Sequence, residues 1–226
     1  MSDLDKLAID KNWLNSLSKY LDPYSILSAV EEVEALRRKG KTIYPPNHLL
    51  FNAYNKCSLS NIKIVIFGQD PYPKKDQANG LSFSSNEDHK IPKSLCNIFN
   101  EISSDIGIEN HNPDLTSWAN QGVLLLNTCL SVEEGIPLSH SSIGWSVIID
   151  GTLKLLAAEK KNIVFILWGN NSQKLQTKIN DKENLILKSS HPSPLSFYRG
   201  FDGCKHFSKA NSYLKKNNLT EIDWAT

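Results

Sequence analysis

One stretch in the first third of the chain decides the fold class: Ile62-Lys63-Ile64-Val65-Ile66-Phe67-Gly68, followed at once by Gln69-Asp70-Pro71-Tyr72. Its apolar, β-branched residues are typical of a short strand that is buried on both faces of a parallel sheet. Three similar runs follow, at residues 123–126, 163–168 and 185–187. We therefore expect four strands in one mostly parallel sheet.

Helical patterns lie before and between these strands. Two sets of apolar residues recur at helical spacing: Leu27, Val30, Val33 and Leu36, then Leu95, Ile98, Phe99 and Ile102. Residues 145–158 are apolar enough for a core helix. Strands that alternate with helices predict an α/β fold, here a three-layer α/β/α sandwich around a central, mostly parallel four-stranded sheet. With no repeat or linker, residues 1–226 are expected to form a single domain.

Composition excludes several classes of protein. No apolar stretch reaches the eighteen residues of a membrane span, and the opening residues lack the pattern of a secretory or transit signal. We expect a cytoplasmic protein, or a nuclear one if the source is eukaryotic. The four cysteines, Cys57, Cys96, Cys129 and Cys204, form no Cys-x-x-Cys pair, so we expect no disulfide framework and no metal site.

The net charge of +1 argues against a protein that coats nucleic acid through bulk charge. A local basic face stays possible. Its candidates beside two of the loops are Lys74, Lys75, Arg199, Lys205, His206 and Lys209. An ordinary solvated surface explains these charges equally well.

Polar or turn-forming residues follow each strand directly. Asp70 comes after the first run, Asn127 after the second, Gly169-Asn170 after the third and His191 after the fourth. Ligands of open α/β sheets bind at the carboxyl ends of the strands, so these groups are expected to converge on one site. Each residue also has a structural reading: Asp70 as a turn residue, Asn127 as the end of a strand, and His191 as a loop histidine.

The chemistry open to these groups is narrow. The chain has no Gly-x-Ser-x-Gly elbow, no glycine-rich phosphate loop and no His-Glu-x-x-His pair. One carboxylate, one imidazole and one amide suit hydrolysis through an oxocarbenium-like transition state. Glycoside hydrolases usually need a second carboxylate as general acid, but a leaving group that is already a good anion does not.

Several separated motifs resemble the uracil-DNA glycosylase family, in the branch that prefers uracil and uses no metal. They are Tyr44-Pro45-Pro46, Gly68-Gln69-Asp70-Pro71-Tyr72, Gly80-Leu81-Ser82-Phe83-Ser84, Trp118-Ala119-Asn120-Gln121-Gly122-Val123, Leu125-Leu126-Asn127-Thr128, and His191-Pro192-Ser193-Pro194-Leu195-Ser196 with Tyr198-Arg199-Gly200-Phe201. They occur in the family's order and run over almost the whole chain. The resemblance implies excision of uracil from single- or double-stranded DNA without a cofactor.

The resemblance also assigns roles in the reaction and in the uracil pocket. Asp70 orients the attacking water and stabilises the sugar cation, while a neutral His191 stabilises the uracil anion. Phe83, which could otherwise be a plain core aromatic, stacks on the flipped base. The amide of Asn127 reads the edge of uracil. Tyr72 excludes the thymine methyl group, and Gln69 contributes its backbone.

A further set of residues is implied in DNA contact. Leu195 matches a wedge that enters the duplex, although a buried loop leucine is the alternative. Ser94, Ser193 and Ser196 match hydroxyl residues that pinch phosphates, and Ser94 could also cap the helix that follows it. Arg199 adds positive charge to the loop. Such contacts do not read sequence, so we expect tolerance of sequence context and sensitivity to salt.

The chain departs from the family pattern in three places. Pro73-Lys74-Lys75 replaces the usual His-Gly-Pro, the proline-rich loop shrinks to Ile91-Pro92-Lys93-Ser94, and Asn170 replaces a phosphate-pinching serine. These changes put DNA affinity in doubt more than the reaction.

Other readings of the sequence stay open. A non-catalytic DNA-binding or polymerase-associated module would have lost Asp70 or His191, and a nucleoside hydrolase would have no use for Leu195. Asn127 and Tyr72 argue against a broader glycosylase that removes cytosine or thymine. We expect a monomer with no membrane partner, and a DNA-mimicking inhibitor protein is a possible partner.

Overall fold

The structure is a computed structural model, and it describes residues 3–226 of the chain. Eight α-helices lie in this part: α1 (Lys11–Leu17), α2 (Pro23–Arg38), α3 (Asn52–Lys56), α4 (Lys93–Ile106), α5 (Thr116–Asn120), α6 (Ser146–Glu159), α7 (Asn170–Gln173) and α8 (His206–Lys216). Short 3₁₀ turns cover Asp3–Lys6, Asn47–Leu49, Leu59–Asn61, Lys174–Lys178 and Phe197–Arg199. Among the described residues, no helix has both the length and the apolar character that crossing a bilayer requires.

Six strands form two sheets. The small antiparallel sheet pairs β1 (Ile43–Tyr44) with β4 (Val132–Glu133). The central sheet contains β2 (Ile64–Gly68), β3 (Val123–Asn127), β5 (Val164–Trp168) and β6 (Leu185–Ser189) in the order β3-β2-β5-β6. Its three strand pairings are all parallel, which confirms the predicted sheet.

Burial differs among the four central strands. Every residue of β2, β3 and β5 is buried, as their continuous apolar runs predict. Strand β6 is only partly buried. The expectation that the fourth run is covered on both faces was wrong. Both β3 and β6 are outer strands of the sheet, but α3 and α5 pack on β3, whereas no helix of the described residues packs on β6 to a comparable extent.

The helices pack around the central sheet as the predicted three layers. One group contains α4 and α8, which contact each other; the other contains α6 with α1 and α2 against it. One apolar cluster extends from Leu7 to Trp224 and includes the interiors of β2, β3 and β5. Because the strands are parallel, their four carboxyl ends lie along the same sheet edge, where the site is expected.

Local chemistry explains where the helices begin and end. The carboxylate of Asp10 accepts hydrogen bonds from the N–H groups of Asn12 and Trp13 at the start of α1. Asp22 caps α2 ahead of Pro23, which has no N–H to satisfy. Helix α4 ends at Gly107, whose φ of 74° closes the last turn in the left-handed region.

Candidate active site

A pocket of about 240 Å³ opens at the carboxyl ends of β2 and β3. It is lined by Gly68, Gln69, Asp70, Pro71, Tyr72, Pro73, Phe83, Ser94, Asn127, Pro137 and His191. Pockets for drug-sized ligands measure roughly 300–1,000 Å³, so this one suits a single small ring. The structure therefore brings together the carboxylate, the amide and the imidazole that the sequence placed at separate strand ends.

A second cavity of about 170 Å³ adjoins the first and shares Gly68, Gln69 and His191 with it. Asn170 and Asn171 line this second cavity at the end of β5. Gln69 thus stands between the two cavities, and its side-chain oxygen lies 3.5 Å from the amide nitrogen of Asn171.

The turn after β2 is anchored by the continuation of β3. Carbonyl groups of Gly68 and Gln69 accept hydrogen bonds from the backbone N–H groups of Thr128 and Cys129, at 3.0 and 2.9 Å. The hydroxyl of Thr128 also donates to the Gln69 carbonyl, at 3.0 Å. The hydrogen-bond ladder between β2 and β3 therefore continues past the ends of both strands. This holds the backbone of Gln69 in place and so fixes the start of Asp70, the next residue.

Asp70 is half-buried on the pocket wall. Its Oδ2 accepts a hydrogen bond of 2.7 Å from the backbone N–H of Leu138. Burial raises the pKa of Asp70, while the N–H groups of Leu138 and of Asp70 itself act in the opposite direction. A carboxylate with a raised pKa is a better proton acceptor near neutral pH than an exposed one.

Tyr72 and Phe83 are joined across the pocket. The hydroxyl of Tyr72 donates a 3.1 Å hydrogen bond to the carbonyl of Phe83, and burial raises the pKa of Tyr72, so it stays a neutral donor. Phe83 adopts a φ of 63°, a conformation that is uncommon outside glycine. Its ring is buried, lies 5.5 Å from Trp168 and 5.7 Å from His191, and lines the pocket. Phe83 is therefore a core aromatic that also lines the pocket, and its stacking on a flipped base stays a prediction.

Asn127 is the last residue of β3, and its side chain is buried at the pocket. Within the described part of the chain, its amide group makes no hydrogen bond, so its donor and acceptor face the pocket unpaired. Gly68 makes room for it: a Cβ at that position would clash with Oδ1 of Asn127 and lie 2.6 Å from Cβ of Ser82. Asn127 therefore ends β3, and its side-chain amide is still free to bind a ligand.

His191 follows β6 and faces the same pocket. Its Nδ1 accepts a 3.1 Å hydrogen bond from the backbone N–H of Ser193, and burial lowers the pKa of the imidazole. The ring is therefore neutral near pH 7, with its proton on Nε2. Gly169 permits this approach, since a Cβ there would lie 2.9 Å from Cβ of His191.

Internal hydrogen bonds fix the loop after His191. The hydroxyl of Ser196 donates to the His191 carbonyl at 2.8 Å and lies 3.0 Å from the hydroxyl of Ser193. From α4, the amide of Asn97 donates to the carbonyl of Pro192 at 2.7 Å. The two serines therefore shape the loop, a role that the sequence motifs did not reveal.

The structure places the remaining DNA-contact candidates at exposed positions after β5 and β6. Leu195 is 82% exposed, which excludes the buried-leucine reading. Arg199 is exposed and donates to the hydroxyl of Tyr198, at 3.2 Å from Nη2. Asn170 is exposed at the start of α7.

Two expectations are corrected by the structure. Ser94 does not precede the helix, because α4 begins at Lys93. Pro92 occupies the N-cap position without a side-chain hydrogen bond, and Ser94 lines the pocket. His206 does not belong to a basic face. It is buried, its Nδ1 accepts from Nε1 of Trp168 at 3.0 Å, and burial lowers its pKa to about 4, so it is uncharged.

Sequence reasoning missed one part of the pocket entirely. Residues 134–139 follow β4 and are named here the wall loop. In this loop Pro137 lines the pocket, and the N–H of Leu138 donates a hydrogen bond to Asp70. No spacing pattern marks this loop, because it acts through its backbone. A proline next to an exposed leucine is an ordinary loop composition.

Comparison with known proteins finds relatives in a single family. The sequence profile of the Uracil DNA glycosylase superfamily matches residues 54–215. The uracil-DNA glycosylase of Campylobacter hominis is 48% identical over 98% of this chain and 94% of the relative. That of Amoebophilus asiaticus is 52% identical over 82% of this chain and 85% of the relative.

Solved structures lead to the same family. The crystal structure of mimivirus uracil-DNA glycosylase has a TM-score of 0.90 and 27% identity, covering 98% of this chain and 89% of that chain. A variant of the mimivirus protein, solved in complex with UGI, has a TM-score of 0.91 and 27% identity, covering 99% of this chain and 91% of that one. With a profile match over most of its length and relatives of this identity, the chain belongs to the uracil-DNA glycosylase superfamily.

Proposed function

We propose that this chain excises uracil from DNA by hydrolysing its N-glycosidic bond, the first step of base excision repair. The observation that carries the proposal is the convergence of Asp70, Asn127 and a neutral His191 on one pocket sized for a single base. Water adds to C1′ of the deoxyribose, the C1′–N1 bond breaks, and uracil departs with the bonding electron pair. The products are free uracil and an abasic site in an intact strand.

Asp70 is the catalytic carboxylate in this proposal. Its negative charge stabilises the positive charge that develops on the sugar ring. It also accepts the proton of the attacking water, which its raised pKa favours. Its fixed backbone and the 2.7 Å hydrogen bond from Leu138 keep it oriented before substrate arrives.

His191 stabilises the leaving group. With Nδ1 occupied by the N–H of Ser193, the imidazole donates from Nε2 to the O2 atom of the departing uracil anion. The anion leaves without being protonated by His191, and solvent protonates it afterwards. A neutral donor of this kind is expected to contribute about 10²- to 10³-fold to the rate.

Base selection falls to Asn127, Tyr72 and Phe83. The unpaired amide of Asn127 donates to O4 of uracil and accepts from N3–H, whereas cytosine presents the opposite pattern. The ring of Tyr72, held by its bond to Phe83, leaves no room for the methyl group of thymine. Phe83 stacks on the base, and the backbone of Gln69 completes the pocket.

Leu195 wedges the duplex as the base leaves. An 82% exposed leucine is costly in water and gains an apolar contact between stacked bases. Ser94, Asn170, Ser193, Ser196 and Arg199 are the proposed contacts to the DNA backbone. The face that carries Leu195 is also the proposed site for a DNA-mimicking inhibitor protein, which the complexes of the mimivirus variants with UGI support. The chain acts as a single catalytic domain and as a monomer.

The decisive experiment measures uracil release from a labelled oligonucleotide with one uracil, in the presence of EDTA. Wild-type protein is expected to release uracil and leave an alkali-labile site, and Asp70→Asn is expected to lose this activity. Asp181→Asn is the matched control, because Asp181 is an exposed carboxylate in the loop before β6. Equal activity of Asp70→Asn and wild type would refute the assignment, and no release by any folded protein would favour a DNA-binding role.

A further inference from the structure

The wall loop makes a direct hydrogen bond to the proposed catalytic carboxylate, Asp70. Leu138 supplies the N–H that donates to Oδ2 of Asp70 at 2.7 Å. Pro137, just before it, lines the pocket and restricts the backbone that leads to this N–H. The loop is therefore in direct contact with the reacting centre.

Leu138 holds an unfavourable backbone conformation to make this contact. Its φ is 63°, which costs energy in any residue with a Cβ atom. Its side chain is 44% exposed, so packing recovers little of that cost. Strained residues persist only where the surrounding structure over-determines them, and they concentrate at functional sites.

Hydrogen bonds at both ends of the wall loop maintain this conformation. The hydroxyl of Ser139 accepts a 2.8 Å hydrogen bond from the N–H of Glu133, which closes the loop across its base. The N–H of Gly135 donates to the carbonyl of Pro73 at 2.8 Å, and the N–H of Ser139 donates to the carbonyl of Ile136 at 3.3 Å. The loop is thereby tied to the turn that carries Asp70.

We propose that the wall loop is the positioning element of the catalytic carboxylate, with Ser139 as the positioning residue that closes it. The N–H of Leu138 prevents rotation of the Asp70 carboxylate about its Cβ–Cγ bond and favours its charged form. This inference rests on the proposed role of Asp70 in uracil excision.

None of the ionisable groups described below supplies a charge that would hold the Asp70 carboxylate in place of the N–H of Leu138. The thiol of Cys129 is uncharged near pH 7, because burial raises its pKa to about 11, and the ring of His191 is neutral. Tyr72 is neutral as well, since burial raises its pKa. Lys74 and Lys75, on the same turn as Asp70, are exposed, and within the described chain neither contributes to the pKa shift of Asp70.

The first test compares Ser139→Ala with Ser139→Thr, which keeps the hydroxyl, and with Ser141→Ala, an exposed serine two residues further on. Single-turnover rates and KM are measured from pH 4.5 to 9. Ser139→Ala is expected to lower the rate roughly tenfold and to leave KM nearly unchanged. The acid limb of the pH–rate profile, which is the range where the rate falls as the pH drops, should move to higher pH by about one unit. Ser139→Thr and Ser141→Ala should match wild type.

A second measurement needs no variant of the loop. The backbone amide resonance of Leu138 is followed by NMR against pH in the wild-type protein and in Asp70→Asn. We expect it to titrate with the acid limb in wild type and to lose that titration in Asp70→Asn.

The wall-loop proposal and the proposed excision of uracil are contradicted by different results. A folded Ser139→Ala with an unmoved acid limb, or a Leu138 resonance that does not titrate in wild type, would overturn the role of the wall loop while Asp70→Asn remains inactive. An active Asp70→Asn would instead remove the proposed function itself.

Discussion

The backbone N–H of Ser193 donates a 3.1 Å hydrogen bond to Nδ1 of His191, two residues earlier in the same loop. An acceptor at Nδ1 leaves the single proton of a neutral imidazole on Nε2. Burial lowers the pKa of His191, so the imidazole is neutral near pH 7. The contact with Ser193 thus sets the tautomer of the imidazole that the proposed reaction uses, and burial sets its charge.

The pH dependence of excision follows from this arrangement. Both Asp70 and His191 act in their unprotonated forms, so single-turnover rates should be flat from pH 7 to 9 and fall as the pH drops through the raised pKa of Asp70 and the lowered pKa of His191. An imidazolium acting as general acid would give the opposite trend, with rates that decline as the pH rises above about 6.5. A rate profile with that decline would contradict the neutral-imidazole assignment.

The donor at Nε2 can be tested by a matched pair of variants. His191→Ala removes the donor and should lower the rate about 10²- to 10³-fold. His191→Gln retains an N–H donor on a side chain of similar length and should lose less. Rates on single-stranded uracil oligonucleotides at pH 8 give the comparison, and equal losses in the two variants would show that hydrogen-bond donation is not what the residue supplies.

Asn127→Asp should admit cytosine to the pocket. A carboxylate can accept from the N4 amino group of cytosine, whereas the amide of Asn127 presents a donor to that position. We expect slow release of cytosine from a cytosine-containing oligonucleotide, together with a reduced rate on uracil. Asn127→Ala serves as the control, since it opens the pocket without supplying an acceptor; cytosine release by both variants alike would contradict recognition by this side chain.

Gly68→Ala should damage the pocket through Asn127. The added Cβ would clash with Oδ1 of Asn127 and lie 2.6 Å from Cβ of Ser82, so the amide must move. We expect a loss of about 10²-fold in kcat/KM. Because the contact with Asn127 is one of the two close contacts that the new Cβ would make, Gly68→Ala combined with Asn127→Ala should lose less than the sum of the two single losses. Additive losses would indicate that Gly68 affects the pocket by another route.

Leu195→Ala should impair excision from duplex DNA more than from single strands. Extruding a base from a duplex costs a few kcal/mol, and a single strand needs no wedge to hold the gap open. Leu195 is 82% exposed, so the substitution should leave the thermal stability unchanged. Kinetics on matched single- and double-stranded substrates provide the test, and equal losses on both would remove the wedge argument.

Asp70→Asn should stabilise the folded protein near neutral pH. Burial raises the pKa of Asp70 above its unfolded value, so ionisation destabilises the folded state as the pH rises through these two values. Below both pKa values the carboxyl is neutral in either state, and this penalty is absent. Thermal unfolding at pH 7 and pH 3 should therefore show a larger gain in Tm for Asp70→Asn at pH 7. The same gain at both values would contradict the raised pKa.

Much of the site could be predicted from the sequence because parallel strands impose a common direction. Asp70, Asn127 and His191 each follow an apolar run, and the parallel pairing brings the ends of β2, β3, β5 and β6 to one sheet edge. This deduction needs only the order of the runs and the type of residue that ends each one. The roles of these three residues stay predictions until the variants are measured.

The direction in which some side chains point could not be predicted in the same way. Ser94 is predicted to precede α4 but lies within its first turn, where it lines the pocket, because the helix begins at Lys93, two residues earlier than expected. His206 was grouped with surface charges but is buried against Trp168. In both cases the packing of neighbouring elements decides which way a side chain points, and the local sequence carries no record of it.

The sequence by itself determined the parallel sheet, the edge at which the site forms and the family that the motifs resemble, because apolar period and strand-end residues are local properties of the chain. Only the tertiary structure decided the proton position on His191, the N–H of Leu138 on Asp70, and the room that Gly68 leaves for Asn127. Those three depend on backbone atoms and on close approaches between separate loops. Every residue has the same backbone groups, so their placement is set by the packed fold and not by residue type.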